Sequence, residues 1–300
     1  MFYIFGAFYF TFLGHFTWKN WGVLFGKIGI KPFQLDIHKN NININICFGE
    51  NGDENMDDNI KKLREIINQG EVVFFGGAGV STESGIPDFR SVDGLYNQTY
   101  DYPPEEILSH TFFMNNPKEF YRFYMDKLIC ENVYPNDAHK VLAKLEDEDK
   151  LIGIVTQNID GLHQMAGSRN VFELHGSTYR NYCMKCHRRF GINDMIRFKE
   201  EKVEVPTCEC GGIIKPDVVL YEEGLSEEVI EGSINAMQLA NTLIIAGTSL
   251  TVYPAAGLIR YFKGDNLVLI NRDSTSVDKR ADIVIHDSVG KVLKEAYGLI

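Results

Sequence analysis

The sequence predicts an α/β protein: a doubly wound parallel sheet covered on both faces by helices, with a smaller zinc-binding insertion. Three observations predict it. Short apolar or β-branched runs recur from residue 72 onward, separated by helical or loop sequence. Such runs suit strands buried on both faces. The first of them, residues 72–75, leads into Gly76-Gly77-Ala78-Gly79, a glycine turn placed where doubly wound sheets hold a pyrophosphate. Two close cysteine pairs, Cys183-x-x-Cys186 and Cys208-x-Cys210, lie 21 residues apart, and paired cysteines of this kind mark a tetrahedral zinc site.

The elements follow in order. Residues 1–18 contain no Asp, Glu, Lys or Arg, and Phe, Tyr and Trp crowd the first 25 positions. A membrane span needs about 20 mostly apolar residues. This stretch falls just short, and it lacks the basic start and small-residue cleavage site of a signal peptide. Residues 38–59 are rich in Asn and Asp. Three readings of residues 1–55 compete: a weak membrane anchor, a disordered tail, or sequence upstream of a true start at Met56. The expectation is a combination of the last two, with no membrane partner and a domain over residues 56–300. Asp57-Asp58 makes a helix start before Ile60, Leu63, Ile66 and Ile67 at helical spacing, so a helix is expected over 57–69. Buried strands are expected at 72–75, 151–155, 171–174, 243–246, 267–270 and 283–285, and an edge strand at 218–221.

Composition narrows the function. At 300 residues the chain can bury a sizeable core. Its net charge of −11 argues against nucleic acid as the main partner, because phosphate binding needs clustered Lys and Arg. Basic, lysine-containing peptides suit such a surface. Four of the six cysteines form the paired cluster, and Cys47 and Cys130 stand alone. A secreted disulfide framework is therefore not expected, and a reducing cytoplasm fits.

Each motif has a plain reading beside the functional one. The glycine turn lacks the third glycine of G-x-G-x-x-G, because Thr82 stands there. It is then a weak match, equally readable as any tight α/β turn. Asp160-Gly161 reads by itself as an Asx turn, and Thr248 and Ser249 as caps or turn residues. His175 ends an apolar run and is a candidate base, neutral imidazole being able to take a proton near pH 7. Its rival role is zinc ligand. Four cysteines already complete a tetrahedral structural site with no open position for chemistry, so one structural Zn2+ on Cys183, Cys186, Cys208 and Cys210 is expected. The C-x-C pair needs a tight knuckle, and Gly211-Gly212 supplies the backbone freedom. His187 is a rival ligand that reads more simply as a surface residue.

The segment from Gly77 to Arg90, Gly-Ala-Gly-Val-Ser-Thr-Glu-Ser-Gly-Ile-Pro-Asp-Phe-Arg, resembles the sirtuins, the NAD-dependent protein-lysine deacylases, and in particular bacterial-type deacetylases. Four further matches follow in order: Thr156-Gln157-Asn158-Ile159-Asp160-Gly161-Leu162-His163, then His175-Gly176, the cysteine pairs, and Gly247-Thr248-Ser249-Leu250. The resemblance covers roughly residues 57–300 and implies a Rossmann-like fold with the zinc module at about 178–216. It also implies an enzyme whose acyl-lysine carbonyl attacks the anomeric carbon of NAD, releasing nicotinamide and O-acetyl-ADP-ribose. By resemblance Ala78 and Thr82 line the phosphate and ribose region, and Phe89 and Arg90 belong to a loop closing over the co-substrate. Asp160 and the Ile159 backbone take the carboxamide of nicotinamide, Asn158 orders the ribose and a water, and Gln157 is a further co-substrate contact. His175 is the general base. Thr248, Ser249 and Asn271 hold the adenosine ribose, and the stretch 287–289 lies near adenine.

The stretch 218–221 would pair with the substrate backbone, acetyl-lysine proteins or peptides being the implied partners. Sirtuins that remove succinyl or malonyl groups carry Tyr-x-x-Arg; here the match is Tyr121-Arg122-Phe123-Tyr124, so a neutral acyl group is expected. Two other functions stay open: a mono-ADP-ribosyltransferase, and a non-catalytic sensor of NAD or ADP-ribose.

Overall fold

The chain, seen here as a computed structural model, is described over residues 34–38, 41–45, 57–88 and 102–299. It divides into two units, Met1–Met56 and Asp57–Ile300. In the first unit β1 (Gln34–His38) and β2 (Asn41–Asn45) pair antiparallel. The aromatic run at the N-terminus, Phe89 and Arg90 lie outside the described residues. Among the described residues no helix is long and apolar enough to cross a membrane.

The second unit opens with α1 (Asp58–Gln69), where the Asp57 side chain accepts the Asn59 N–H at 2.8 Å, one of the free donors of a first turn. Ile60, Leu63 and Ile67 are its buried stripe. There follow β3 (Val72–Gly76), α2 (Pro104–Ile107), α3 (His110–Asn115), α4 (Pro117–Lys127), α5 (Asp137–Asp147) and β4 (Leu151–Thr156). Next come α6 (Leu162–Ala166), β5 (Val171–Glu173), β6 (Gly176–Cys183), β7 (Arg189–Gly191), α7 (Ile192–Glu200) and β8 (Ile214–Val218). The chain then forms α8 (Glu227–Leu239), β9 (Thr242–Ala246), β10 (Asn266–Ile270), β11 (Ile283–Ile285) and α9 (Val289–Tyr297).

Six strands form one parallel sheet in the order β5-β4-β3-β9-β10-β11. The chain runs outward from β3 to β5, returns to the centre, and runs outward again from β9 to β11. This is the doubly wound order, and its two halves part between β3 and β9, where such sheets bind ligands at their carboxyl ends. Strand residues alternate between faces. Val73 and Phe75 of β3 pack with Leu243, Ile245 and the α8 residues Ala236 and Met237. Val72 and Phe74, equally buried, turn to the other face, where α1 and α5 pack against α9.

A second, antiparallel sheet of order β7-β6-β8 carries the cysteine pairs. Its core continues into the α2–α4 helices through Phe113, Phe120, Tyr121, Tyr124, Met195 and Ile214. One sequence expectation is corrected here. The edge strand is Ile214–Val218, not 218–221, because the Tyr221 N–H bonds to the Leu108 carbonyl at 2.9 Å and its carbonyl accepts from His110 at 3.0 Å. Those bonds turn the chain away after Val218 and tie it to the start of α3.

Candidate active site and metal centre

A cavity of about 440 Å³ opens at the carboxyl ends of β3 and β9, a volume ordinary for a ligand site. The glycine turn forms one wall by close approach to the β9 side. The Gly79 N–H bonds to the Gly247 carbonyl at 2.8 Å. A Cβ on Gly79 would lie 2.7 Å from Gly247 Cα, and one on Gly77 would lie 2.8 Å from Thr248 Cβ. Only glycine fits both positions, so the turn packs directly against the β9 side, at the place where doubly wound sheets hold a pyrophosphate. Thr82 lines the cavity, but its hydroxyl donates to the Gly79 carbonyl at 3.0 Å and so shapes the turn.

All the other sequence-predicted cofactor contacts among the described residues converge on this cavity: Ala78, Gln157, Asn158, Ile159, Asp160, His175, Thr248, Ser249 and Asn271. Each sits at the end of a strand or in the turn that follows it. Gln157 Nε2 donates to Thr248 Oγ1 at 3.2 Å, bridging β4 to β9 across the front of β3. Asn271 Nδ2 donates to the Asp273 carbonyl at 2.7 Å. Asp287, Ser288 and Val289 also line the wall.

His175 stands between β5 and β6 with its Nδ1 3.0 Å from the Gln157 carbonyl. A carbonyl can only accept, so Nδ1 carries the hydrogen and Nε2 is left with a free lone pair. Burial, opposed by that hydrogen bond, holds the imidazole pKa below its ordinary value, so the ring is neutral at pH 7. Gly176 beside it takes φ +74°, and a Cβ there would lie 1.9 Å from the Asp217 carbonyl oxygen. Glycine at this position lets the histidine sit against β8.

A polar chain runs along the cavity floor. Asn158 Nδ2 donates to Ser81 Oγ at 3.0 Å, and Ser81 Oγ donates to Asp160 Oδ2 at 2.6 Å. The Leu162 N–H reaches Asp160 Oδ1 at 2.9 Å. Burial raises the Asp160 carboxyl despite these donors. Sequence reasoning missed Ser81, which is 1% exposed, and its signal was its place inside the Gly77–Arg90 motif. It also missed Thr178, whose N–H and hydroxyl both donate to the Ile159 carbonyl at 3.0 Å and so orient the Ile159–Asp160 peptide.

The four cysteine sulfurs Cys183, Cys186, Cys208 and Cys210 lie within 4.8 Å of one another. Cys183 Sγ is 3.4 Å from Cys210 Sγ, and Cys186 Sγ is 3.7 Å from Cys208 Sγ. Zn–S bonds of about 2.3 Å in a tetrahedron put sulfurs roughly 3.8 Å apart, so the set fits zinc. The Cys186 and Lys185 N–H groups point at Cys183 Sγ and pull that thiol down to about 6, favouring the thiolate a metal needs. His175 and His187 are outside the set. At the acyl-choice positions, Tyr124 is fully buried and Arg122 is exposed, paired with Glu119.

The Sir2 family profile matches residues 77–254. An NAD-dependent protein deacetylase of Clostridium perfringens is 62% identical over 243 residues, covering 79% of this chain and 98% of that protein. One of Clostridium acetobutylicum is 57% identical over 241 residues, covering 79% and 97%. Among solved structures, one described as the basis for the mechanism and regulation of Sir2 enzymes aligns with a TM-score of 0.73 at 37% identity. It covers 82% of this chain and 100% of that one. A Sir2 structure with a p53 peptide and NAD+ aligns with a TM-score of 0.70 at 35% identity, covering 81% and 98%. With the family profile matched over more than half of the chain and these relatives matched over nearly their whole length, the chain belongs to the Sir2 family.

Proposed function

We propose that this chain is an NAD-dependent protein-lysine deacetylase in which His175 is the general base and the zinc is structural. The observation that carries the mechanism is the His175–Gln157 hydrogen bond, which leaves Nε2 as an unprotonated acceptor inside the cavity. The deacetylase relatives and the Sir2 structures with peptide and NAD+ support the substrate pair.

NAD, when bound, supplies an anomeric carbon made electrophilic by its nicotinamide leaving group. The glycine turn at Ala78 would receive the pyrophosphate. Thr248, Ser249 and Asn271 would hold the adenosine ribose, and Phe89 and Arg90 would cover the co-substrate. The Ile159 backbone and Asp160, fixed by Thr178 and Ser81, would orient the nicotinamide carboxamide, beside Gln157. Asn158 would position the nicotinamide ribose. His175 Nε2 would take a proton from a ribose hydroxyl as the acetyl group is transferred from lysine to the ribose. Cys183, Cys186, Cys208 and Cys210 would hold zinc as a cross-link between the β6–β7 and β8 ends of the small sheet. The catalytic unit would span residues 56–300.

His175→Ala should lower deacetylation by about 10² to 10⁴-fold while the zinc content and the thermal shift on adding NAD persist. Loss of zinc in that variant would make His175 a ligand, and unchanged turnover would remove it as the base.

A further inference from the structure

The rim of the cavity carries a residue that neither the fold nor the proposed chemistry requires. Glu222 lines the cavity and takes φ +76°, a left-handed conformation unfavourable for a residue with a Cβ. The turn beneath it is locked. Lys215, 5% exposed, donates from Nζ to the carbonyls of Pro216 and Val218 at 3.3 and 3.1 Å and to Glu223 Oε2 at 3.1 Å. Glu223 Oε2 also accepts the Leu220 N–H at 3.0 Å, and its Oε1 lies 2.9 Å from His110 Nδ1. The charge of Glu223 is thus taken up inside the turn.

Glu222 is differently placed. The Thr111 hydroxyl and its N–H, the latter at 2.8 Å, hold the Glu222 carboxyl below its ordinary pKa and fix the direction of its charge. Among the described residues no Lys or Arg forms an ion pair with it. Tyr221, 38% exposed, and Tyr253, 74% exposed, line the same cavity. The strand leading to this rim is joined to the base, since the Val219 N–H bonds to the His175 carbonyl at 3.0 Å. On the deacetylase reading, a peptide whose modified lysine reaches His175 would lay its neighbouring residues on this rim.

We propose that Glu222 is a specificity-determining residue that selects substrates carrying Lys or Arg next to the acetylated lysine. The inference rests on the deacetylase reading above. A carboxylate held on a locked turn loses little freedom when a cation meets it, and an acidic neighbour is repelled.

The test uses acetyl-lysine peptides of neutral background with a single Arg, Ala or Glu at each flanking position, assayed at saturating NAD and low salt. At one or two adjacent positions Arg should lower KM about two- to fivefold relative to Ala, the range of an exposed ion pair. The preference should fade toward 1 M salt. In Glu222→Gln and Glu222→Gly the Arg-to-Ala ratio should collapse toward one. Glycine suits φ +76°, so a thermal midpoint in Glu222→Gly at or above the parent's separates lost charge from lost fold. An Arg preference that survives both variants overturns the proposal, as does efficient turnover with no preference at any position. No deacetylation of any peptide by the parent chain overturns the underlying reading and this inference with it.

Discussion

His175 has a single hydrogen-bond acceptor at Nδ1, and that one bond decides which nitrogen can act as a base. Its burial disfavours the imidazolium, so the low-pH limb of kcat/KM, which reports the free enzyme, should have an apparent pKa below the ordinary 6.5 of histidine. A pH–rate profile with that limb at 7 or above would contradict the assignment. Residues with reactive side chains in short motifs were legible in the sequence: His175, Asn158 and Asp160 line one cavity, and the four cysteines form a separate cluster. Ser81 and Thr178 were not, because a serine or threonine reads as a turn residue until the partner that its hydroxyl meets is in view. Thr82 lines the cavity as expected, with its hydroxyl bonded to the Gly79 carbonyl.

At the scale of elements, the small sheet carries the four cysteines that could hold zinc. The cysteines sit at the end of β6, in the turn before β7 and just ahead of β8, so a metal held there would cross-link those ends and couple its binding to their folding. Chelation, or Cys183→Ser, should unfold this module and abolish deacetylation together, whereas cobalt should sustain turnover with a thiolate-type tetrahedral spectrum. Activity that survives with no metal bound would contradict the structural role. A second element-scale expectation concerns α5 and α6, which bury His139 and His163 with ring centroids 4.7 Å apart. Burial holds His139 down at about 4 and His163 well below its ordinary value. Above pH 6.5 the rings are neutral in both folded and unfolded chains. As pH falls from 6.5 toward 4 only the unfolded chain takes up their protons, so stability must fall. About 2 kcal/mol should be lost between pH 7.5 and 5 from His139 alone, read as a falling urea midpoint, and His139→Gln should flatten part of that slope. A midpoint that does not move over this range would contradict the buried neutral pair. The misplaced edge strand belongs here too: an apolar run at 218–221 cannot reveal that Leu108 and His110 will take the backbone bonds of Tyr221.

At the scale of the whole molecule, strand positions were readable because each is a short apolar run bounded by polar sequence, but their spatial order was not. The sequence of runs is the same for many sheets, and only tertiary packing places β9 beside β3. That placement makes the site, because it brings the turns after both strands to one crevice and sets the Gln157–Thr248 bridge across it. Binding alone needs neither a base at position 175 nor an ordered Asn158, and ADP-ribose transfer to protein would end in a different product. The most direct measurement is therefore mass spectrometry of the products formed from an acetyl-lysine peptide and NAD by the zinc-loaded chain. Deacetylated peptide, nicotinamide and O-acetyl-ADP-ribose in equal amounts are the predicted result. ADP-ribosylated peptide with the acetyl group retained, or bound but unconsumed NAD, would contradict it.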